Sequence, residues 1–152
     1  MAALSPKSEE KLIGVKPELV RVVKEAIKIS LVDFGISEGL RSLERQKQLV
    51  SEGKSRTLAS KHLSGDAVDL FAYVENKVSW EEKHYYVIAR AMQVSAKKFA
   101  TVVGWGAVWD ISLNNLSSDL ETEVKKYQAR FKIKNPNKKP FFDGVHFELR
   151  AQ

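Results

Sequence analysis

The chain has 152 residues, a formal net charge of +6 and no cysteine. That length is enough for one domain with its own core, and the 43% apolar fraction argues for a globular fold. Disulfides and thiolate metal sites are excluded, so any transition-metal site must use His and carboxylates. No stretch approaches the ~20 apolar residues of a membrane span, so stable membrane insertion is not expected. The N-terminus lacks the apolar core of a signal peptide, which predicts synthesis in the cytoplasm. The positive charge favours anionic partners, among which nucleic acid, membrane surface and bacterial cell wall all qualify.

The elements read as follows. Ser8-Glu9-Glu10 can start a short helix carrying Leu12 and Ile13. Pro17 suits the first turn of a second helix, whose apolar stripe runs from Leu19 through Val22, Val23, Ala26 and Ile27 to Ile29. A short strand follows over 34–39. Ser42 is an N-cap for a helix over Leu43 to Ser51, with Gly53 as its stop. Lys54 to Ala59 is a basic loop, and His62 sits in a polar, Ser-rich loop after it. Ala67 to Tyr73 reads as a buried strand that ends in a turn around Glu75-Asn76-Lys77. Ser79-Trp80-Glu81-Glu82 has the form of a capping box opening a long helix to about Ala100, with Tyr85, Ile88, Ala89, Met92, Ala96 and Phe99 facing the core. Thr101-Val102-Val103 reads as a strand before Gly104-Trp105-Gly106. Ser118-Asp119-Leu120-Glu121 can cap a helix bearing Leu120, Val124, Tyr127 and Phe131 on one face. A basic loop over Lys132 to Lys139, broken by Pro136, leads to a last strand around Val145, Phe147 and Leu149.

Two stretches carry chemistry. In Ser60-Lys61-His62-Leu63-Ser64-Gly65-Asp66-Ala67-Val68-Asp69, an imidazole and a carboxylate stand seven residues apart, and Asp69 lies inside an apolar strand. A charge there is costly unless something pairs with it. Taken alone, the pair also reads as a surface histidine and a capping or salt-bridging aspartate. The second stretch, Asp143-Gly144-Val145-His146-Phe147-Glu148-Leu149, alternates apolar residues with His146 and Glu148 on the other face. His62, Asp69 and His146 together would supply three ligands and leave a fourth position for water, as a catalytic zinc site needs. His84 has no such partner and reads as structural. Trp105 and Trp109 read either as core packing or as cleft wall. Ser60 has no adjacent base, which excludes a serine nucleophile. No helix-turn-helix spacing or aromatic platform is visible, so no nucleic-acid partner is expected.

The pattern Ser-x-His-x-x-Gly-x-Ala-x-Asp (Ser60 to Asp69), followed by Asp-x-x-His (Asp143 to His146), resembles the zinc peptidases that include D-Ala-D-Ala carboxypeptidases and phage L-alanyl-D-glutamate endopeptidases. Gly39-Leu40-Arg41-Ser42 with Gln46 matches a third family element. The resemblance runs from about Ile36 to Leu149 and is nearest to the phage endolysin branch. It implies an α+β fold of the Hedgehog/DD-peptidase type, a small, mainly antiparallel sheet with helices packed on one side. It also implies one zinc ion per chain on His62, Asp69 and His146. Asp143 would be the general base, Arg41 a substrate carboxylate or oxyanion partner, Ser60 and Gln46 substrate-binding residues, and Glu148 a support for a ligand or a rival base. The expected substrate is the peptidoglycan stem peptide, cut between L-Ala and D-Glu on the periplasmic side of the host membrane. The alternatives are a carboxypeptidase at the same metal and an inactive metal-holding wall-binding module. The expected organisation is one monomeric catalytic domain over 1–152, with an insertion over 113–140 bordering the site and no separate wall-binding domain.

Overall fold

The computed structural model describes residues 2–55, 57 and 60–151. Among them, five strands form one antiparallel sheet: β1 (Asp33–Glu38), β2 (Ala67–Val74), β3 (Lys77–Ser79), β4 (Val103–Gly106) and β5 (Asp143–Leu149). The order is β1-β2-β5-β4, with β3 also paired to β2. β1 takes one edge of β2; β5 pairs with the first half of the other edge and β3 with the second half. The helices are α1 (Pro6–Lys11), α2 (Pro17–Ile29), α3 (Leu43–Ser51), α4 (Glu82–Lys98) and α5 (Leu120–Lys134). The expected α+β class is borne out.

α4 lies on β2, β4 and β5, while α2 and α5 pack against α4. The helical periodicity explains this layer. Pro17 occupies the first turn of α2, and Leu19, Val22, Val23, Ala26 and Ile27 point inward. Tyr85, Ile88, Ala89, Met92 and Ala96 do the same on α4. They meet Leu70, Trp105 and Phe147 from the sheet in one buried cluster. Each large apolar side chain so buried contributes about 1.5–3 kcal/mol. The Tyr85 hydroxyl donates to Ser79 O (2.7 Å) and accepts from Ala72 N–H (3.1 Å), which pins α4 to the β2–β3 hairpin. No helix among the described residues is long and apolar enough to cross a membrane.

Several boundaries differ from those read in the sequence. The capping box at Ser79 does not form, because Ser79 is held in β3 opposite Ala72 and the helix starts at Glu82. α4 ends at Lys98, and Ala100 has a positive φ of 50°. The strand expected over 101–103 begins at Val103 instead and takes in Gly104, Trp105 and Gly106. Asp119, rather than Ser118, caps α5 by accepting from Thr122 N–H at 3.2 Å. α5 runs to Lys134, three residues into the expected basic loop. Of the loop expected over 54–59, Arg56, Leu58 and Ala59 lie outside the described residues. The segment over 113–140 is mostly α5, which packs on α4; a bidentate Arg130–Asp110 pair (2.7 and 2.9 Å) ties it to the turn after Trp109.

Candidate active site

The β2–β5 ladder sets Asp69 directly opposite His146, so both side chains leave the same face of the sheet. His62 arrives from a 3-10 turn, Lys61–Ser64, rather than from an irregular loop. Ser60 caps that turn, its hydroxyl accepting from His62 N–H at 3.2 Å. Gly65 ends it at φ 76°, a left-handed conformation that glycine adopts without strain. Its carbonyl then accepts from Lys16 N–H (2.9 Å), and Arg41 N–H donates to His62 O (2.9 Å). The turn is thus fixed from both sides.

His62 is fully buried. Its Nδ1–H donates to Gly39 O at 2.8 Å, which leaves Nε2 as the bare nitrogen. Nε2 is buried without a hydrogen-bond partner and lies 3.3 Å from Asp69 Oδ1. An orphaned buried nitrogen facing a carboxylate is a pair of electron donors with nothing between them to accept. His146 Nδ1 stands 3.1 Å from the same Oδ1, and its Nε2–H donates to Glu148 Oε1 at 2.9 Å. The ligand atoms offered by His62, Asp69 and His146 all lie within 4.8 Å of one another. Two imidazoles and one carboxylate with a position left over suit a tetrahedral divalent ion. The hydrogen bonds to Gly39 O and Glu148 leave Nε2 on His62 and Nδ1 on His146 as the nitrogens that face Asp69.

The site's electrostatics fit a cation. Burial pushes the Asp69 carboxyl up, but the His146 hydrogen bond and the His62 imidazole beside it outweigh that and hold the group well below the usual range. Burial likewise opposes charge on His146, yet the Asp69 and Glu148 carboxylates raise it to about 9. Glu148 is lowered despite its burial, chiefly by the His146 hydrogen bond. A proton on His146 therefore balances these two carboxylates when no ion does.

The surrounding cleft is lined by Glu38, Arg41, Lys61, Trp109, Phe141 and Asp143. Burial and the charge of Asp69 push Asp143 up to about 6. Arg41 is buried; its Nε and Nη2 grip both oxygens of Glu38 at 2.6 Å, and Nη1 donates to Gln46 Oε1 at 2.6 Å. Nη2 also lies 3.8 Å from Asp69 Oδ2. Gln46 differs from its expected place. It is fully buried behind Arg41, and its amide nitrogen donates to Ser55 Oγ and to Thr57 O. Its polar atoms are thus taken up by Arg41 and the loop. Ser60 lines the cleft but spends its hydroxyl on the turn. Trp105 is a core residue donating to Gly144 O at 2.9 Å, whereas Trp109 is exposed with its ring 5.4 Å from that of His146. His84 lies away from the cluster, 3.4 Å from Glu81. Glu38 was missed in the sequence, although it stands three residues before Arg41, beside the Gly-x-Arg-Ser element.

The family model for phage L-alanyl-D-glutamate peptidase matches residues 1–150. The chain is similar to the L-alanyl-D-glutamate peptidase of Escherichia phage T5, at 32% identity over 146 residues and 93% of each protein. It also resembles the crystal structure of the L-Ala D-Glu endopeptidase ChiX of Serratia marcescens, with a TM-score of 0.74 and 37% identity, covering 98% of this chain and 90% of that one. These matches bear out the motif resemblance and its phage branch. With the family matched from end to end and a relative this similar along almost all of its length, the chain belongs to the phage L-alanyl-D-glutamate peptidases and is a peptidase.

Proposed function

We propose that this protein is a zinc-dependent endopeptidase that hydrolyses the L-Ala–D-Glu bond of the peptidoglycan stem peptide and so lyses the bacterial host. The observation that carries the zinc reading is the buried His62 Nε2, unpartnered and facing Asp69 beside His146. His62 Nε2, Asp69 and His146 Nδ1 would hold the ion. When bound, zinc supplies Lewis-acid polarisation of a carbonyl and lowers the pKa of water from ~15.7 towards ~7.

The remaining work falls to the chain. Asp143 takes a proton from the attacking water and returns it to the departing amine of D-Glu. One water is consumed, the C–N bond breaks, and the products are a carboxylate on L-Ala and a free amino terminus on D-Glu. A carboxyl group raised to about 6 suits both halves of that transfer. Arg41 is held by Glu38 and Gln46 and keeps unspent N–H groups on Nη1 and Nη2 for the developing oxyanion. Glu148 accepts from His146 Nε2–H and so presents Nδ1 to the ion. Trp109 covers His146 and limits water there. The protein would be made in the host cytoplasm and act on the wall as a monomer, its +6 charge favouring the anionic polymer.

Digestion of purified peptidoglycan, with and without a zinc chelator, tests this by mass spectrometry. Chelator-sensitive release of peptides with a new D-Glu amino terminus is expected. Loss of a terminal D-Ala would instead make the protein a carboxypeptidase, and metal binding without cleavage would make it a binding module.

A further inference from the structure

Glutamate has two carboxyl groups, and a chain continuing beyond it uses only one. An L-Ala–D-Glu stem therefore brings a free carboxylate within one residue of the scissile bond, and a selective cleft needs a cation for it. Among the described residues, the cations lining the cleft are Arg41, Lys54 and Lys61. Arg41 is already balanced by the bidentate Glu38. Lys54 is well exposed on the rim, 3.4 Å from Glu52.

Lys61 differs from both. Its Nζ donates to Leu149 O at 2.6 Å, which uses one of its three hydrogens, and lies 3.3 Å from Glu148 Oε2. Glu148 is shared, because Arg150 Nε approaches the same Oε2 at 3.4 Å while Oε1 takes the His146 hydrogen. Arg150 is absent from the cleft lining. It lies along β4 against Gly104, where an added Cβ would sit 2.0 Å from Nε. One carboxylate thus faces two cations, and the cation turned to the cleft is Lys61. With a neutral His146 holding a metal, this end of the cleft keeps one positive charge in excess.

We infer that Lys61 receives the free carboxylate of the D-glutamyl residue and makes that charge a determinant of specificity. The inference rests on the endopeptidase reading above. Its test compares two stem peptides on the zinc-loaded full chain, one with that carboxylate free and one with it converted to the carboxamide. The wild type should favour the free carboxylate in kcat/KM by about tenfold, mainly through KM, the order set by one charge-assisted hydrogen bond at a part-exposed site. Lys61→Met should collapse the ratio towards one, and Lys61→Arg should restore it. Zinc content per chain checks that the neighbouring His62 still binds. Equal cleavage of both peptides by the wild type overturns the inference without any variant, as does a Lys61→Met that slows both in parallel. If the wild type cuts neither peptide, or cuts at another bond, the endopeptidase reading fails and this inference falls with it.

Discussion

Asp69 and His146 are register partners across β2 and β5, with Oδ1 and Nδ1 3.1 Å apart. The backbone ladder itself sets their spacing, so the pair does not depend on loop order. Asp69→Asn keeps the shape and removes the charge that balances an ion. Zinc affinity should fall by more than about 100-fold, beyond the 10- to 100-fold typical of an outer partner. Equilibrium dialysis with metal analysis reads this directly. Unchanged affinity would remove Asp69 from the ligand set.

Zinc binding should release about one proton per chain at pH 7.5, because the ion must displace the proton on His146 Nδ1. That histidine, raised from 6.5 to about 9 against the pull of burial, is protonated at this pH. Affinity should therefore climb with pH until about 9. In the metal-free chain the raised pKa stabilises the fold fully below 6.5, and this contribution is lost as pH rises through about 9. Titration calorimetry in buffers of different ionisation enthalpy counts the protons. A count of zero would mean that His146 is neutral in the metal-free site.

Much of this centre was legible from a few residues. Asp69 stood out because a charge inside an apolar strand needs a partner, and His146 with Glu148 because period-two alternation puts them on one face. The helices over 17–29 and 43–51 followed from Pro17, Ser42 and their apolar spacing. Other features depend on pairings that chain distance does not encode. β3 has three residues, too few for a period to show, and its pairing with β2 overrides the local capping preference of Ser79. Gln46 reads as a polar residue one turn into a helix, and only tertiary packing turns it inward to Arg41. Which nitrogen of each histidine faces Asp69 follows from the contacts with Gly39 O and Glu148, which the fold makes and the motif spacing does not encode.

Asp143→Asn should keep zinc and lose about 10²- to 10⁴-fold in turnover, the usual contribution of a general base. The wild-type rate should fall on the acid side, since a base must be ionised to accept a proton. Burial and Asp69 place that limb at about 6, and a bound cation moves it lower by favouring the carboxylate. A pH–rate profile of kcat/KM on a stem peptide checks both statements. An active Asp143→Asn, or an acid limb that survives the substitution, would assign the base to another residue.

Gly65→Ala should destabilise the fold and disturb the metal centre together. Gly65 has a φ of 76°, and a Cβ built there would stand 2.3 Å from Gly14 O. The backbone conformation alone costs a non-glycine residue about 1–3 kcal/mol. The clash adds to this, because its partner is main chain and cannot rotate away. Relief requires either the 14–16 segment or the 3-10 turn to shift. The Lys16 N–H to Gly65 O bond links the two, so His62 moves with them. For a chain of this size each kcal/mol lowers the midpoint by roughly 2–4 °C, so a fall of about 5 °C or more is expected. Thermal unfolding of the metal-free protein measures the stability, and zinc titration measures the site. A normal midpoint with normal zinc affinity would show that the turn holding His62 accommodates a side chain at Gly65, and that its position is set by the Arg41 and Gly39 contacts alone.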